Sequence, residues 1–202
     1  MAERRDIRRD LILETARDLF ALNGVRRATM GDIAQKAGVG KPVLYQYFSS
    51  KDDIITAVID MEIEFLKASL SQGLDEEENP MAQIARAWSN AIDFYEKDNF
   101  LMHILRANEL GLAPYMHERY VMEIETFVVG LLESLIRGAI NEGTFVECNS
   151  RIAAYMGYKI YQAGTYGRTD TLKEFSSKDI MKKTMLIMAL GIMDQKRDQK
   201  IF

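Results

Sequence analysis

The stretch MGDIAQKAGVGKPVLYQYF, residues 30–48, has the spacing of two short helices that cross at a tight turn. Ala34 is small enough to let two helices cross closely, and Gly38, four residues later, can adopt the positive φ that such a turn needs. Leu44, six residues further on, supplies the apolar contact that completes the small core. This spacing predicts a helix-turn-helix, a motif that places its second helix in the major groove of DNA.

Helix signals also lie on both sides of this stretch. Thr29 followed by Asp32 is a capping-box-like start, and Ser50 followed by Asp53 repeats that signal ahead of a longer helix. Asn23-Gly24 is the predicted end of the preceding helix. Apolar residues recur in that helix at steps of three and four, the period of one helix face: Ile7, Leu11, Ile12, Ala16, Leu19 and Phe20.

The segment from Ile12 to about Ile55, which begins ILETARDLF and ends SSKDDII, resembles the TetR family of bacterial transcriptional regulators. The resemblance implies an all-α fold. It further implies an N-terminal three-helix DNA-binding domain, residues 1–51, followed by a larger helical regulatory and dimerisation domain, residues 52–202. The remainder of the chain matches the family only in length and helical character.

Charge is unevenly distributed along the chain. Residues 1–51 contain ten Lys or Arg and six Asp or Glu, a net charge of +4, whereas residues 52–202 contain sixteen and twenty-four, a net charge of −8; together these give the −4 of the whole chain. Phosphates attract a locally basic face whatever the net charge of the protein. The distribution favours DNA binding by the head, although charge alone leaves a merely solvated surface as the alternative.

The rest of the composition favours a cytoplasmic protein without enzyme motifs. The single cysteine, Cys148, cannot form an intrachain disulfide, and the N-terminus MAERRDIRRD lacks the apolar core of a signal peptide. No run approaches the about 20 apolar residues that a membrane span needs. His103 and His117 have no metal-ligand spacing, and nucleophile and phosphate-loop motifs are missing. We therefore expect no catalytic residue, no metal, no cofactor and no membrane partner.

Several residues of the head are candidates for DNA contacts. The resemblance implies contacts to the DNA backbone from four positions: Thr29, Lys41, Tyr45 and Lys51. The family usually has Ser or Thr where Gly40 and Val43 stand, so two hydroxyl contacts to phosphate are missing here. Pro42 is compatible with the first turn of the reading helix, and we expect the amides of Lys41 and Val43 to be free for a phosphate.

Base reading is assigned to two side chains of the same helix. Gln46 is the candidate base reader, because its amide can bond adenine at N6 and N7, and Val43 can touch a thymine methyl group. Arginines before or at the start of the first helix either reach phosphates or stay solvated: Arg4, Arg5, Arg8 and Arg9.

The body of the chain predicts helices only, and the resemblance implies that a small molecule binds among them. Aromatic and methionine side chains at helical spacing are candidates for a ligand pocket: Trp88, Tyr95, Met102, Phe127 and Tyr158. Such side chains favour a mainly apolar or amphipathic effector. Ordinary core packing is the alternative for each of them, since aromatic stripes are what cores are made of.

The last two helices have the composition of an association surface. Small residues, Ala153, Gly157 and Gly164, lie near one side of the penultimate helix, where a partner helix could approach closely. The final helix, which opens at Ser176-x-x-Asp179, carries more apolar residues than one inner face needs. Intramolecular core is the alternative, and the resemblance implies a homodimer through these two helices. A dimer of helix-turn-helix heads reads a pseudo-palindromic operator.

These expectations combine into a ligand-responsive transcriptional regulator, in the first place a repressor. The resemblance implies that the effector shifts the helix beginning near Ser50 and so changes the separation of the two DNA-reading heads. An activator or DNA-architectural member of the family that needs no small ligand is one alternative. A helical ligand-binding protein or enzyme that does not act on DNA is another.

Overall fold

The computed structural model of the chain is all-helical over the part that it describes: residues 2–74, 79–96, 100–101 and 118–165, with residues 174–176, 179–180, 182–183 and 186. Seven helices are formed there: α1 Ala2–Asn23, α2 Met30–Lys36, α3 Lys41–Tyr47, α4 Lys51–Ser71, α5 Pro80–Glu96, α6 Glu118–Asn141 and α7 Ser150–Thr165. The predicted all-α class is confirmed. Within this part of the chain, no helix has the length and apolar content to cross a bilayer.

Two of the predicted helix boundaries, at Asn23-Gly24 and at Ser50–Asp53, lie at helix ends in the structure. Gly24, directly after α1, has a φ of 71°, and Gly143, just beyond the end of α6, has a φ of 69°. These are left-handed conformations that glycine adopts without the steric cost of a Cβ atom. At the start of α4, the Ser50 hydroxyl accepts the Asp53 amide at 3.1 Å, and the Asp53 carboxylate accepts the Ser50 amide at 3.1 Å.

The chain forms two compact units. Unit 1 comprises Met1–Phe65 and Asp98–Arg119, and unit 2 comprises Leu66–Lys97 and Tyr120–Phe202. One boundary between them falls inside α4. The predicted division between residues 51 and 52 separates a DNA-binding domain from a regulatory domain, which is a division by function and not by compact unit. It stays a prediction.

The core of unit 1 is built by one face of each of its helices. Ile12 and Phe20 of α1, Ile33 of α2 and Leu44 of α3 are fully buried, as is Ile54 at the start of α4. Full burial of such a side chain stabilises the fold by roughly 1.5–3 kcal/mol before the cost of ordering the chain. The short helices α2 and α3 therefore depend on packing against each other, and α2 against α1, rather than on their own helix propensity.

Unit 2 has a separate core between α5, α6 and α7. Its buried members are Ile84, Ala87, Trp88, Leu135, Ile136, Ala139, Phe145 and Ala154. The last turn of α4 joins this unit through Asn90, whose side-chain amide donates to the carbonyl oxygens of Leu70 at 3.1 Å and Gln72 at 2.8 Å. These bonds pair carbonyls that have no partner inside α4.

Candidate DNA interface and effector site

The turn between α2 and α3 has the geometry that its glycine predicts. Gly38 has a φ of 65°, and the amide of Val39 returns to the Ala34 carbonyl at 3.0 Å. A Cβ atom added at Gly38 would meet nothing within 4 Å, so the turn needs glycine for its backbone conformation and not for space. Ala34 and Leu44 are buried on either side of the turn. The helix-turn-helix expected from the sequence is therefore present.

Thr29 begins α2 as half of a complete capping box. Its hydroxyl oxygen accepts the Asp32 amide at 3.2 Å, and the Asp32 carboxylate accepts the Thr29 amide at 3.0 Å. The hydroxyl hydrogen of Thr29 is donated to the same carboxylate at 2.7 Å. These hydrogen bonds from Thr29 lower the pKa of Asp32, and the charge of Lys41 adds to the effect. A phosphate contact from the Thr29 hydroxyl would have to replace its bond to Asp32.

The first turn of α3 presents fewer free amides than the sequence predicted. Pro42 occupies this turn and is exposed, and it has no N–H. The Val43 amide donates to the Gly40 carbonyl at 2.9 Å, so the expectation that it is free for a phosphate was wrong. The cause is a short turn at Gly40, whose carbonyl accepts both Val43 and Leu44. The amide of Lys41 is the first-turn donor that remains for an anion.

The side chain of Lys41 lies over the start of α2. Its Cε and Nζ atoms are 3.2 and 3.4 Å from the place where a Cβ atom of Gly31 would lie. Lys41 is exposed, so its ammonium group adds positive charge beside the capping box while staying accessible to a phosphate. The absence of a side chain at Gly31 makes room for this position.

Two of the side chains predicted to contact DNA are exposed on α3. Tyr45 is 53% exposed, and Gln46 is also exposed. Val43 is only half-buried and lines a groove of about 510 Å³, together with Ile7, Arg8, Leu11 and residues 37–40. Gln46 therefore offers more surface to a base than Val43 does.

Lys51, the first residue of α4, is bound to the protein itself. Its ammonium group donates to the carbonyl oxygens of Val25 at 3.0 Å and Ala28 at 3.2 Å. A lysine ammonium has three N–H donors, so one remains for a phosphate. The sequence suggested the phosphate contact but gave no sign of the two carbonyl contacts.

The arginines of α1 do not all have the same surroundings. The guanidinium group of Arg9 lies over the Phe48 ring, 5.6 Å from its centroid, which is a cation–π distance. Arg8 lines the groove beside α3. The side chains of Arg4 and Arg5 lie outside the described part of the structure.

Trp88, the first of the predicted pocket residues, lies in the core of unit 2. It is 8% exposed, and its ring meets Tyr161 edge to face with 6.3 Å between centroids. Its neighbours in the cluster are aliphatic side chains and Phe145. This packing favours the core alternative for Trp88, and a ligand contact there stays a prediction.

The other predicted pocket residues are less closely defined. Tyr158 is buried, and its hydroxyl oxygen accepts a hydrogen bond from the Gln162 amide at 2.8 Å. Phe127 is half-buried on α6. Met102 and the side chain of Tyr95 lie outside the described residues. A ligand contact by these residues stays a prediction.

The exposed apolar face of α7 differs from the one inferred from small residues. Gly157 is buried and Ala153 packs against the core of unit 2, so neither offers the outer surface expected for a partner helix. The exposed apolar side chains of α7 are instead Ile152 at 62%, Tyr155 at 42% and Met156 at 52%. The apolar residues predicted for the final helix, apart from the half-buried Ile180, lie outside the described residues.

Comparison with known proteins finds a family match for the head. Residues 12–58 match the model of the bacterial regulatory proteins, tetR family. The HTH-type transcriptional activator FasR of Mycolicibacterium smegmatis is 34% identical over 110 residues, which are 54% of this chain and 50% of FasR. The match thus spans half the length of that relative.

Other similarities extend further along the chain at lower identity. The HTH-type transcriptional repressor KstR2 of Mycobacterium tuberculosis is 25% identical over 138 residues, 68% of this chain and 69% of KstR2. The crystal structure of the transcriptional regulator FadR from Bacillus subtilis in complex with stearoyl-CoA has a TM-score of 0.65 at 19% identity, and the match covers 90% of this chain and 98% of that one. The last similarity shows the fold alone.

Proposed function

We propose that the chain, whose head matches the tetR family of bacterial regulatory proteins, is a DNA-binding transcriptional regulator, and more specifically a homodimeric repressor. A small apolar or amphipathic molecule would bind its helical body in the cytoplasm and release a pseudo-palindromic operator. Ligand and DNA would each favour a different conformer, so each weakens the binding of the other.

The observation that carries this proposal is the geometry of the turn and of α3. A left-handed Gly38 and buried Ala34 and Leu44 fix α3 against α2, which leaves Tyr45 and Gln46 exposed on one short helix. Second helices of this motif read base edges with such side chains. The net positive charge of residues 1–51 also favours binding of this part of the chain to DNA phosphates.

The nature of the effector is supported by the family and by composition. FadR was crystallised with stearoyl-CoA, and another similar fold is that of a SmeT–triclosan complex. Both ligands have large apolar parts. In this chain Phe127 and Tyr158 are the described candidates for contact with such a molecule, while Trp88 is better explained as core. The similar proteins include both an activator, FasR, and a repressor, KstR2. The transcription assay given below decides between the two directions for this chain.

The homodimer is supported by the outer face of α7. Ile152, Tyr155 and Met156 are spaced by three and four residues, so they share one side of the helix, and each is more than 40% exposed. Next to them, Lys159 is held by Glu125 at 2.5 Å and lies 5.0 Å from the centre of the Tyr155 ring. An apolar centre beside a fixed polar group is typical of a protein–protein interface.

Selection from random-sequence DNA followed by footprinting tests the proposed function. The expected product is a pseudo-palindrome bound in preference to random duplex by about 10³-fold or more. A dimer should be seen by analytical ultracentrifugation at micromolar concentration, and Met156→Glu should dissociate it. Glu147→Ala, a change at an exposed position outside α7, is the control and should leave the dimer intact.

Three results would contradict parts of the proposal separately. Equal binding to all sequences would favour an architectural role, and no retention on DNA at low salt would favour the helical ligand-binding protein or enzyme. A wild-type monomer that still binds a single half-site would remove the homodimer alone. Transcription in vitro from a template carrying the selected operator separates a repressor from an activator.

A further inference from the structure

A carboxylate is buried in unit 1, where the DNA-binding function does not use it. Glu62 of α4 is 2% exposed, and with Thr15 it is one of two buried polar or charged residues found in the described part of the chain. Ile59, three residues before it, and Ile63, the next residue, are both fully buried. A carboxylate in such surroundings is stable only when it is paired and hydrogen-bonded.

The partners of Glu62 come from two other elements of the same unit. An Nη atom of Arg17 on α1 is 3.6 Å from its carboxylate, and the backbone N–H of Leu101 donates to it. Leu101 is itself fully buried. The single carboxylate therefore joins α1, α4 and the chain at residue 101.

Arg17 is shared between this buried carboxylate and an exposed one. Its Nε and Nη2 atoms bond Asp18 at 3.3 and 3.1 Å on the surface of α1. Burial raises the pKa of Glu62, while Arg17 and the Leu101 amide oppose that rise. If either partner moved away, the charged carboxylate would be left without the contacts that offset its burial.

We propose that Glu62 is the coupling residue of unit 1, through which a displacement of the chain at Leu101 changes the position of α1 against α4 and thereby the DNA affinity of the head. The inference rests on the proposed function for its regulatory meaning. Residue 101 follows α5, which belongs to unit 2 and packs against α6 and α7 around Trp88. In this role Glu62 acts as a positioning residue.

Hydrogen exchange in the DNA-free protein provides the first test. Arg17→Gln should raise the exchange rate of the Leu101 amide about tenfold, the effect of weakening one charge-assisted hydrogen bond, because Arg17 and the Leu101 amide share the Glu62 carboxylate. Glu62→Gln, which keeps the shape and an acceptor oxygen, should do the same. Asp18→Asn is the matched control: it removes the other partner of Arg17 and should leave the Leu101 rate within about twofold, as for an exposed ion pair.

The second test uses a duplex that carries the operator selected as described above. In the wild type, binding of this duplex should change the exchange rate of the Leu101 amide, because coupling is reciprocal. In Glu62→Gln that change should disappear while the duplex still binds. If Glu62→Gln does not fold, Arg17→Gln takes its place, since the Arg17 side chain is 41% exposed and its loss leaves no cavity in the core.

The outcomes separate this inference from the proposed function. Failure to select any operator would overturn the proposed function, and the regulatory role of Glu62 with it. An operator that binds the wild type but leaves exchange at Leu101 unchanged would overturn the role of Glu62 alone. The same conclusion follows if Glu62→Gln retains the full DNA-induced change, or if Asp18→Asn raises exchange at Leu101 as much as Arg17→Gln does.

Discussion

The ammonium group of Lys51 donates a 3.0 Å hydrogen bond to the carbonyl oxygen of Val25, which ties the first residue of α4 to the segment between α1 and α2. The same group bonds Ala28, the residue before the α2 cap. Lys51 thus fixes the start of the helix-turn-helix relative to α4. Lys51 has two candidate roles, positioning the head and binding a phosphate. The two roles predict different effects of salt on DNA affinity.

Substitution Lys51→Met should weaken binding to operator and random DNA alike. Loss of two bonds from a charged donor should also lower the free energy of unfolding by about 1–3 kcal/mol, measured in urea. If Lys51 touches a phosphate, the slope of log binding constant against log salt should fall by about 0.9. Lys36→Met, a change of an exposed lysine at the end of α2, is the control for charge. Unchanged stability would contradict the positioning role, and an unchanged slope would contradict the phosphate contact.

Gln46→Ala should relax sequence preference at one position in each half-site. The expected cost on the selected operator is about 1–3 kcal/mol, and binding to random duplex should be almost unaffected, because a base-reading side chain contributes little to nonspecific contact. Binding isotherms on operator variants at that position measure the effect. Gln35→Ala removes an exposed glutamine of α2 and serves as the matched control. Equal losses on operator and random DNA would remove Gln46 as a base reader.

Local signals allowed the sequence to predict the secondary structure of the head. The Thr29–Asp32 box and the left-handed Gly38 each depend on residues three or four apart, and both are present. Such short-range chemistry is legible in a sequence because the partners are close along the chain.

The features that could not be predicted depend on partners far apart in the sequence or on which face of a helix is buried. The bonds of Lys51 cross 26 and 23 residues, and the Val43 amide is taken by a turn at Gly40 that periodicity does not reveal. Small residues can face a partner chain or the protein's own core with equal ease. Gly157 is buried, so the proposed dimer face rests instead on the exposure of Ile152, Tyr155 and Met156.

The capping box at Thr29 should be sensitive to acid. Hydrogen bonds from Thr29 lower the pKa of Asp32 in the folded protein, so this contribution to stability is present above the unfolded pKa of 3.8 and is lost as the pH falls through the lower folded value. Thr29→Val should raise the pKa of Asp32, measured by nuclear magnetic resonance titration, and should cost about 1 kcal/mol of stability at neutral pH, as for loss of an N-cap. Thr29→Ser, which keeps the hydroxyl, should preserve both. A pKa of Asp32 that is the same in the Val variant and the wild type would contradict this assignment.

The buried Tyr158 should keep its proton to high pH and should make the protein less stable in alkali. Burial raises its pKa from 10.0 to about 12, the charge of Glu125 adds to the rise, and the hydrogen bond from Gln162 partly opposes it. Between these two pH values the unfolded chain releases the proton while the folded protein keeps it, so stability is complete below pH 10.0 and is lost as the pH rises towards about 12.

A pKa difference of this size corresponds to about 3 kcal/mol. Urea unfolding of the wild type across that pH range should show the loss, and Tyr158→Phe, which keeps the ring but not the ionisable hydroxyl, should remove it. When tyrosine ionisation is followed by ultraviolet absorbance, folded Tyr158→Phe should lack one step at high pH that the wild type shows. Tyr155→Phe is the control, because Tyr155 lies one turn away on α7 and is exposed. If Tyr158→Phe and Tyr155→Phe lose stability equally in alkali, Tyr158 does not hold its proton in the way its burial predicts.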